Sequence, residues 1–136
     1  MRKILIATHS YLAKGFEGAV NLICGEHPGV SYFNAFVDDS NIDVFIDGYM
    51  NDINDDDVAV ICTDLLGGSV NQKFVPFLNR KNIYLISGIN LPLILELILY
   101  SGDINAAMLN ELVEQSKEAI SLVNECIRYE DEEEFF

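Results

Sequence analysis

Two strand-length apolar runs in this chain break off abruptly into small polar or charged residues. The first is Arg2-Lys3-Ile4-Leu5-Ile6-Ala7-Thr8-His9-Ser10; the second, Val58-Ala59-Val60-Ile61-Cys62-Thr63, ends in Asp64 and then Gly67-Gly68-Ser69. Runs without in–out alternation suit strands covered on both faces, as in parallel sheets flanked by helices. In open α/β sheets of this kind the carboxyl ends of the strands hold the ligand. An imidazole, a carboxylate and a glycine-rich helix entry at two such ends point to a nucleophilic histidine that takes up an anion.

The rest of the chain alternates in the same way. Leu12, Phe16, Ala19, Val20 and Ile23 recur at helical spacing until Gly25 ends the helix. Residues 31–37 read as a second strand. Ser40 with Asp43 resembles a capping box, and Ile42, Phe45, Ile46, Tyr49, Met50 and Ile53 form one apolar stripe. Asn54-Asp55-Asp56-Asp57 is the turn into the third strand. Gly68-Ser69 opens a helix through Phe74 toward Leu78, which Pro76 must kink or shorten. Residues 83–87 make a fourth strand, and Asn90 with Pro92 opens a short helix to Tyr100. A last helix, about 105–124, turns Met108, Leu112, Ala119, Ile120 and Val123 inward. Ile127-Arg128-Tyr129 is a candidate terminal antiparallel strand.

The pattern predicts a single doubly wound α/β domain over residues 1–129, with helices on both faces of a mainly parallel sheet, followed by an acidic tail over 130–136. Strands one and three are neighbours only if the second lies outside the first, giving order 2-1-3-4. His9 and Asp64 then meet at the switch point between strands one and three. A carboxylate that accepts Nδ1–H fixes the ring tautomer, leaves the Nε2 lone pair free, and stabilises positive charge as it develops. Amides at Gly67, Gly68 and Ser69, with the Ser69 hydroxyl, can receive phosphoryl oxygens. Ser10 either joins them or caps the first helix. His27, in a turn beside Pro28-Gly29, has no such placement and reads as structural.

Bulk properties narrow the partners. Half of the 136 residues are hydrophobic, enough for one continuous core, and the formal net charge is −14. That sign disfavours nucleic acid and anionic membranes and suits a partner with a basic docking face. The basic start precedes an apolar run too short for a signal peptide, and the greasy stretch 91–100 spans about half a membrane helix. A cytoplasmic location without membrane insertion is expected. Cys24, Cys62 and Cys126 are odd in number and far apart, so they read as reduced core thiols rather than disulfide or zinc ligands.

These residues also resemble a family, the mannose-type enzyme IIA component of the bacterial sugar phosphotransferase system. The resemblance spans Met1 to about Tyr129 and rests on Thr8-His9, on Asp64 with Gly67-Gly68-Ser69, and on Gly88-Ile89-Asn90-Leu91-Pro92. It implies that His9 accepts a phosphoryl group on Nε2 from the phosphocarrier HPr and passes it to enzyme IIB, which serves membrane sugar permease subunits. It implies that Asp64 orients His9 and that Ser69 and its neighbouring amides bind the phosphoryl oxygens. It further implies a homodimer in which a C-terminal strand, here Ile127 to Tyr129, pairs with the other subunit's sheet. No metal or other cofactor is expected, because phosphohistidine transfer needs mainly in-line positioning and charge stabilisation.

Three positions differ from the usual pattern of that family. Ser10 stands where a glycine commonly follows the histidine, Val70 where a proline often follows Gly-Gly-Ser, and Pro76 interrupts a helix. A serine after the histidine is also similar to the phosphotransfer subunit of dihydroxyacetone-kinase systems, the second reading. A non-catalytic binding or regulatory module on the same scaffold is the third. A receiver domain would need clustered acids after strand one, and neither those nor a P-loop is present.

Overall fold

The computed structural model describes residues 1–127; Arg128, Tyr129 and the acidic tail lie outside the described residues. Four parallel strands, β1 (Arg2–His9), β2 (Val30–Ala35), β3 (Val58–Thr63) and β4 (Ile83–Ser87), form one sheet in the order β2-β1-β3-β4. This is the expected order. β1 pairs with β3 through Ala7 opposite Thr63, so the carboxyl ends of the two central strands lie side by side.

Successive side chains of a strand point to opposite faces, and the core divides accordingly. Ile4, Ile6, Val60, Cys62 and Ile86 face one layer, made by α1 (Leu12–Cys24), α4 (Leu91–Leu99) and α5 (Ala106–Glu118). Leu5, Ala7, Ala59 and Ile61 face the other, made by α2 (Ile42–Asn51) and α3 (Ser69–Phe74). Right-handed crossovers require this split. The path from β1 to β2 runs outward one way, whereas β2 to β3 to β4 runs back the other way.

Local chemistry explains where the elements begin and end. Pro76 falls just after α3, and the chain tightens into a 3₁₀ turn over Val75–Asn79, so the expected interruption is a change of helix type. Asn90 caps α4 by accepting the Leu93 N–H at 3.0 Å. Leu93, Ile94 and Leu97 of α4 are buried while Glu96 is exposed, so this greasy helix belongs to the core.

Five details differ from expectation. The inward stripe of α1 runs through Ala13, Phe16, Val20 and Cys24, and Leu12 and Ile23 are exposed. β2 stops at Ala35 because Phe36 adopts a left-handed φ of 65°. The N-cap of α2 is Asn41, whose Oδ1 accepts the Asp43 N–H at 2.8 Å; Ser40 bonds to Asp38 instead. α5 ends at Glu118, short of 124. Its last turn tightens into bonds from Ala119 N to Ser116 O and Ile120 N to Lys117 O, which leaves Ala119, Ile120 and Val123 exposed before the short α6 (Val123–Cys126). Finally, Cys62 is buried, Cys24 is half-buried, and Cys126 is exposed rather than a core thiol. Ile127 has no regular structure, and the rest of the candidate terminal strand lies outside the described residues.

Candidate functional site

His9 is the last residue of β1, and Asp64 directly follows β3. Strand adjacency brings together two residues 55 positions apart, and the contact is doubled. The Asp64 carboxylate accepts the backbone N–H of His9 at 3.0 Å, and both of its oxygens lie 3.1 Å from His9 Nδ1. An ionised carboxylate can only accept, so Nδ1 carries the ring proton and Nε2 keeps its lone pair. Nε2 lies 3.1 Å from Ser69 Oγ, whose hydroxyl donates to it. The carboxylate side is the drier one: the side chain of His9 is 37 % exposed and that of Asp64 only 14 %. One face of the imidazole is thus fixed by a charged acceptor, and the other is open beside a hydroxyl.

The glycine pair acts through shape. Gly67 adopts φ +74°, which a side chain would strain. A Cβ on Gly68 would stand 3.1 Å from the Leu65 carbonyl oxygen and 3.3 Å from His9 Cε1, so a side chain there would crowd the ring and push the loop or the imidazole aside by a few tenths of an ångström. The amides of both glycines are already used. Gly67 N–H donates to Asn71 Oδ1 at 3.2 Å and Gly68 N–H to Leu65 O at 3.0 Å. This corrects the expectation that their N–H groups are free to receive an anion. In this arrangement they set the approach of the loop, and Ser69 presents the donor.

Ser10 adopts a left-handed φ of 54°, the geometry that a glycine at this position would take without strain. It does not cap α1. That task falls to the wholly buried Thr8, whose Oγ1 accepts the Ala13 N–H at 2.7 Å. The Ser10 side chain is exposed at the mouth of the site and makes no hydrogen bond among the described residues. His27 lies outside the site and donates from Nε2 to the Cys24 carbonyl at 3.1 Å, the structural role expected of it.

Sequence reasoning missed two further neighbours. The exposed ring of Phe36 lies with its centroid 5.8 Å from that of His9, and its backbone is left-handed. The sequence carried no sign of this, because Phe36 fell inside the run 31–37 expected to be strand. Asn71 is buried beside Val70 and Phe74, while the polar Gln72 and Lys73 of the same turn are not buried; among three successive polar residues nothing in the sequence singled it out. The segments that follow β1 and β3 also expose Tyr11, Leu12, Leu65 and Leu66.

Fold and site together define a doubly wound α/β protein with a histidine–carboxylate pair at the switch point of its sheet. The sequence profile of the EIIA-man family, described as the phosphotransferase system fructose IIA component, matches residues 3–117. The chain belongs to this family of sugar phosphotransferase system components. No curated protein sequence matches it. Among solved structures it is similar to a candidate phosphoenolpyruvate-dependent sugar phosphotransferase system permease from Klebsiella pneumoniae, with 32 % identity over 93 % of this chain and 94 % of the other and a TM-score of 0.86. A phosphotransferase IIA protein associated with the fucose utilization operon of Streptococcus pneumoniae shares 27 % identity over 93 % and 96 %, with a TM-score of 0.80. The component EIIA from Streptococcus agalactiae shares 25 % identity over 93 % and 100 %, with a TM-score of 0.79.

Proposed function

We propose that this chain is a phosphoryl carrier of a sugar phosphotransferase system, with His9 as acceptor and donor. Nε2 attacks the phosphorus of phospho-HPr; the new N–P bond forms as the phosphocarrier's own N–P bond breaks, and the phosphocarrier's ring takes back the electron pair. The phosphoryl group then leaves His9 for a histidine of enzyme IIB by the same in-line exchange, on its way to membrane permease subunits. Asp64 orients the ring and balances the positive charge that grows on it as Nε2 bonds to phosphorus. Ser69 Oγ turns from Nε2 to a phosphoryl oxygen, Gly67 and Gly68 keep the space beside the ring clear, and Ser10 lines the entrance.

The observation that carries this reading is the asymmetry of the imidazole. Nδ1 is held at 3.1 Å by both Asp64 oxygens, while Nε2 faces the open side. The exposed apolar residues on the surrounding loops and the net charge of −14 favour a protein partner with an apolar, basic-rimmed face. Such exchange takes place in the cytoplasm, and no helix among the described residues is long and apolar enough to cross a membrane. A homodimer belongs to the same proposal. β4 is the last strand on its side of the sheet among the described residues, an edge open to a second copy; all but Ile127 of the candidate segment 127–129 lies outside the described residues.

The test is phosphorylation with phosphoenolpyruvate, enzyme I and HPr. An acid-labile adduct of one phosphoryl group is expected on the wild-type chain and on His27→Gln, with none on His9→Gln. An adduct that persists in His9→Gln contradicts the assignment, and an unmodified wild type favours a non-catalytic module.

A further inference from the structure

Asn71 is only 6 % exposed, and both ends of its amide are engaged. Oδ1 accepts the Gly67 N–H at 3.2 Å, and Nδ2 donates to Thr63 Oγ1 at 3.2 Å. Thr63, wholly buried at the end of β3, in turn donates to Ser87 Oγ at 3.0 Å at the end of β4. A neutral chain of hydrogen bonds therefore runs from the glycine loop through Asn71 into two strands of the sheet. Val70 and Phe74, its neighbours in α3, are apolar and fully buried. A polar residue in such a place is costly unless it is hydrogen-bonded, and both polar atoms of the Asn71 side chain have a partner.

The loop so anchored runs from Asp64 to Gly68. One of its ends carries the carboxylate that holds Nδ1, and the other passes so close to His9 Cε1 that a methyl group would crowd it. Two successive glycines give a loop more freedom to lose than any other pair of residues. The Gly67 carbonyl is gripped as well, by Gln72 Nε2 at 2.7 Å, but that side chain is exposed. The buried tether is Asn71.

We propose that Asn71 is a positioning residue for phosphoryl transfer: it holds the glycine loop in the one shape that leaves His9 Nε2 open while keeping Asp64 on Nδ1. This role rests on the carrier reading given above. It acts on the chemical step rather than on docking, because Asn71 lies beneath the loop, away from the surface a partner meets. A loop displaced by about 1 Å lowers a rate by roughly a hundredfold.

The experiment follows Asn71→Ala by two measurements, single-turnover phosphorylation of His9 by phospho-HPr and hydrogen exchange of the Gly67 amide. The maximal rate is expected to fall about tenfold to a hundredfold, with the dependence on HPr concentration essentially unchanged. Gly67 exchange should speed up by about tenfold or more. A wild-type rate in the variant, or a Gly67 amide as protected as before, overturns the role. Should Asn71→Ala fail to fold, Thr63→Val removes the anchor while keeping the shape of the side chain; a smaller loss in both measurements is expected, and no loss in either is fatal. A wild-type chain that takes up no phosphoryl group overturns the carrier reading together with this role. A phosphorylated wild type with unaltered variant kinetics overturns this role alone.

Discussion

The two ends of the sheet use carboxylates in opposite ways. At the carboxyl end each strand soon runs into a left-handed residue: Ser10 after β1, Phe36 after β2, Gly67 after β3 and Gly88 after β4, with φ of 54°, 65°, 74° and 74°. Two of these carry side chains, so strain is stored there, around a carboxylate whose side-chain partner is an imidazole with one open face. At the amino end the turns are cross-linked. Arg80 donates to the carbonyls of Met50 and Ile53, and Asn82 to those of Asn54 and Asp57. Arg2 reaches the carbonyls of Tyr100 and Gly102. The carboxylate there, Asp57, accepts the Asn54 N–H at 2.9 Å and pairs with the terminal amine at 3.1 Å and with Lys3 at 3.8 Å. One end ties its carboxylate into the scaffold, and the other leaves one ring nitrogen of His9 on the exposed side.

Exchanging one carboxylate at each end tests that contrast. Asp64→Asn keeps the size of the side chain but loses the charge and the assured acceptor for Nδ1–H. Phosphorylation by phospho-HPr should slow by about a hundredfold or more, while the melting temperature changes little. Loss of stability with undiminished kinetics would make Asp64 a structural residue and erase the distinction.

Asp57→Asn should do the reverse, lowering the melting temperature at neutral pH while leaving phosphorylation intact. The Asn54 N–H, then the terminal amine and Lys3, hold the Asp57 carboxyl below its ordinary pKa. Its folded-state value is thus below the unfolded one. The stability it contributes is complete above about pH 4 and is lost as pH falls through the folded-state value. Thermal melts from pH 7 to pH 2 should therefore show the wild type and the variant converging on the acid side. A gap that stays constant with pH contradicts this.

The smallest effect is expected at Ser10. Ser10→Gly removes the left-handed strain but adds chain entropy to the unfolded state, for a net gain of about 0.5 kcal/mol by chemical denaturation. A loss of similar size would show that the serine side chain contributes more than the strain costs.

Most of the scaffold was legible because buried parallel strands leave continuous apolar runs. Ile4–Ala7 and Val58–Cys62 marked β1 and β3, and that adjacency was enough to bring His9 to Asp64. What stayed hidden depended on backbone conformation and on hydrogen bonds between elements. That Phe36 ends β2 by turning left-handed is visible only in its dihedral angle. Capping was one of two readings for Ser10 because serine is a common cap, yet Thr8, two residues earlier and buried, takes the Ala13 amide. Ala119, Ile120 and Val123 continued a helical period, but the helix ended where the Ser116 carbonyl accepts Asn90 Nδ2 from another element. The glycine amides looked free because sequence cannot show that Asn71 and Leu65 already bind them.

The most direct measurement is the ¹⁵N and ³¹P NMR spectrum of the phosphorylated chain, which distinguishes the two ring nitrogens of His9. With Nδ1 engaged by both oxygens of Asp64, the account predicts phosphorus on Nε2 and a proton retained on Nδ1. Phosphorus on Nδ1, or on another residue altogether, would contradict it.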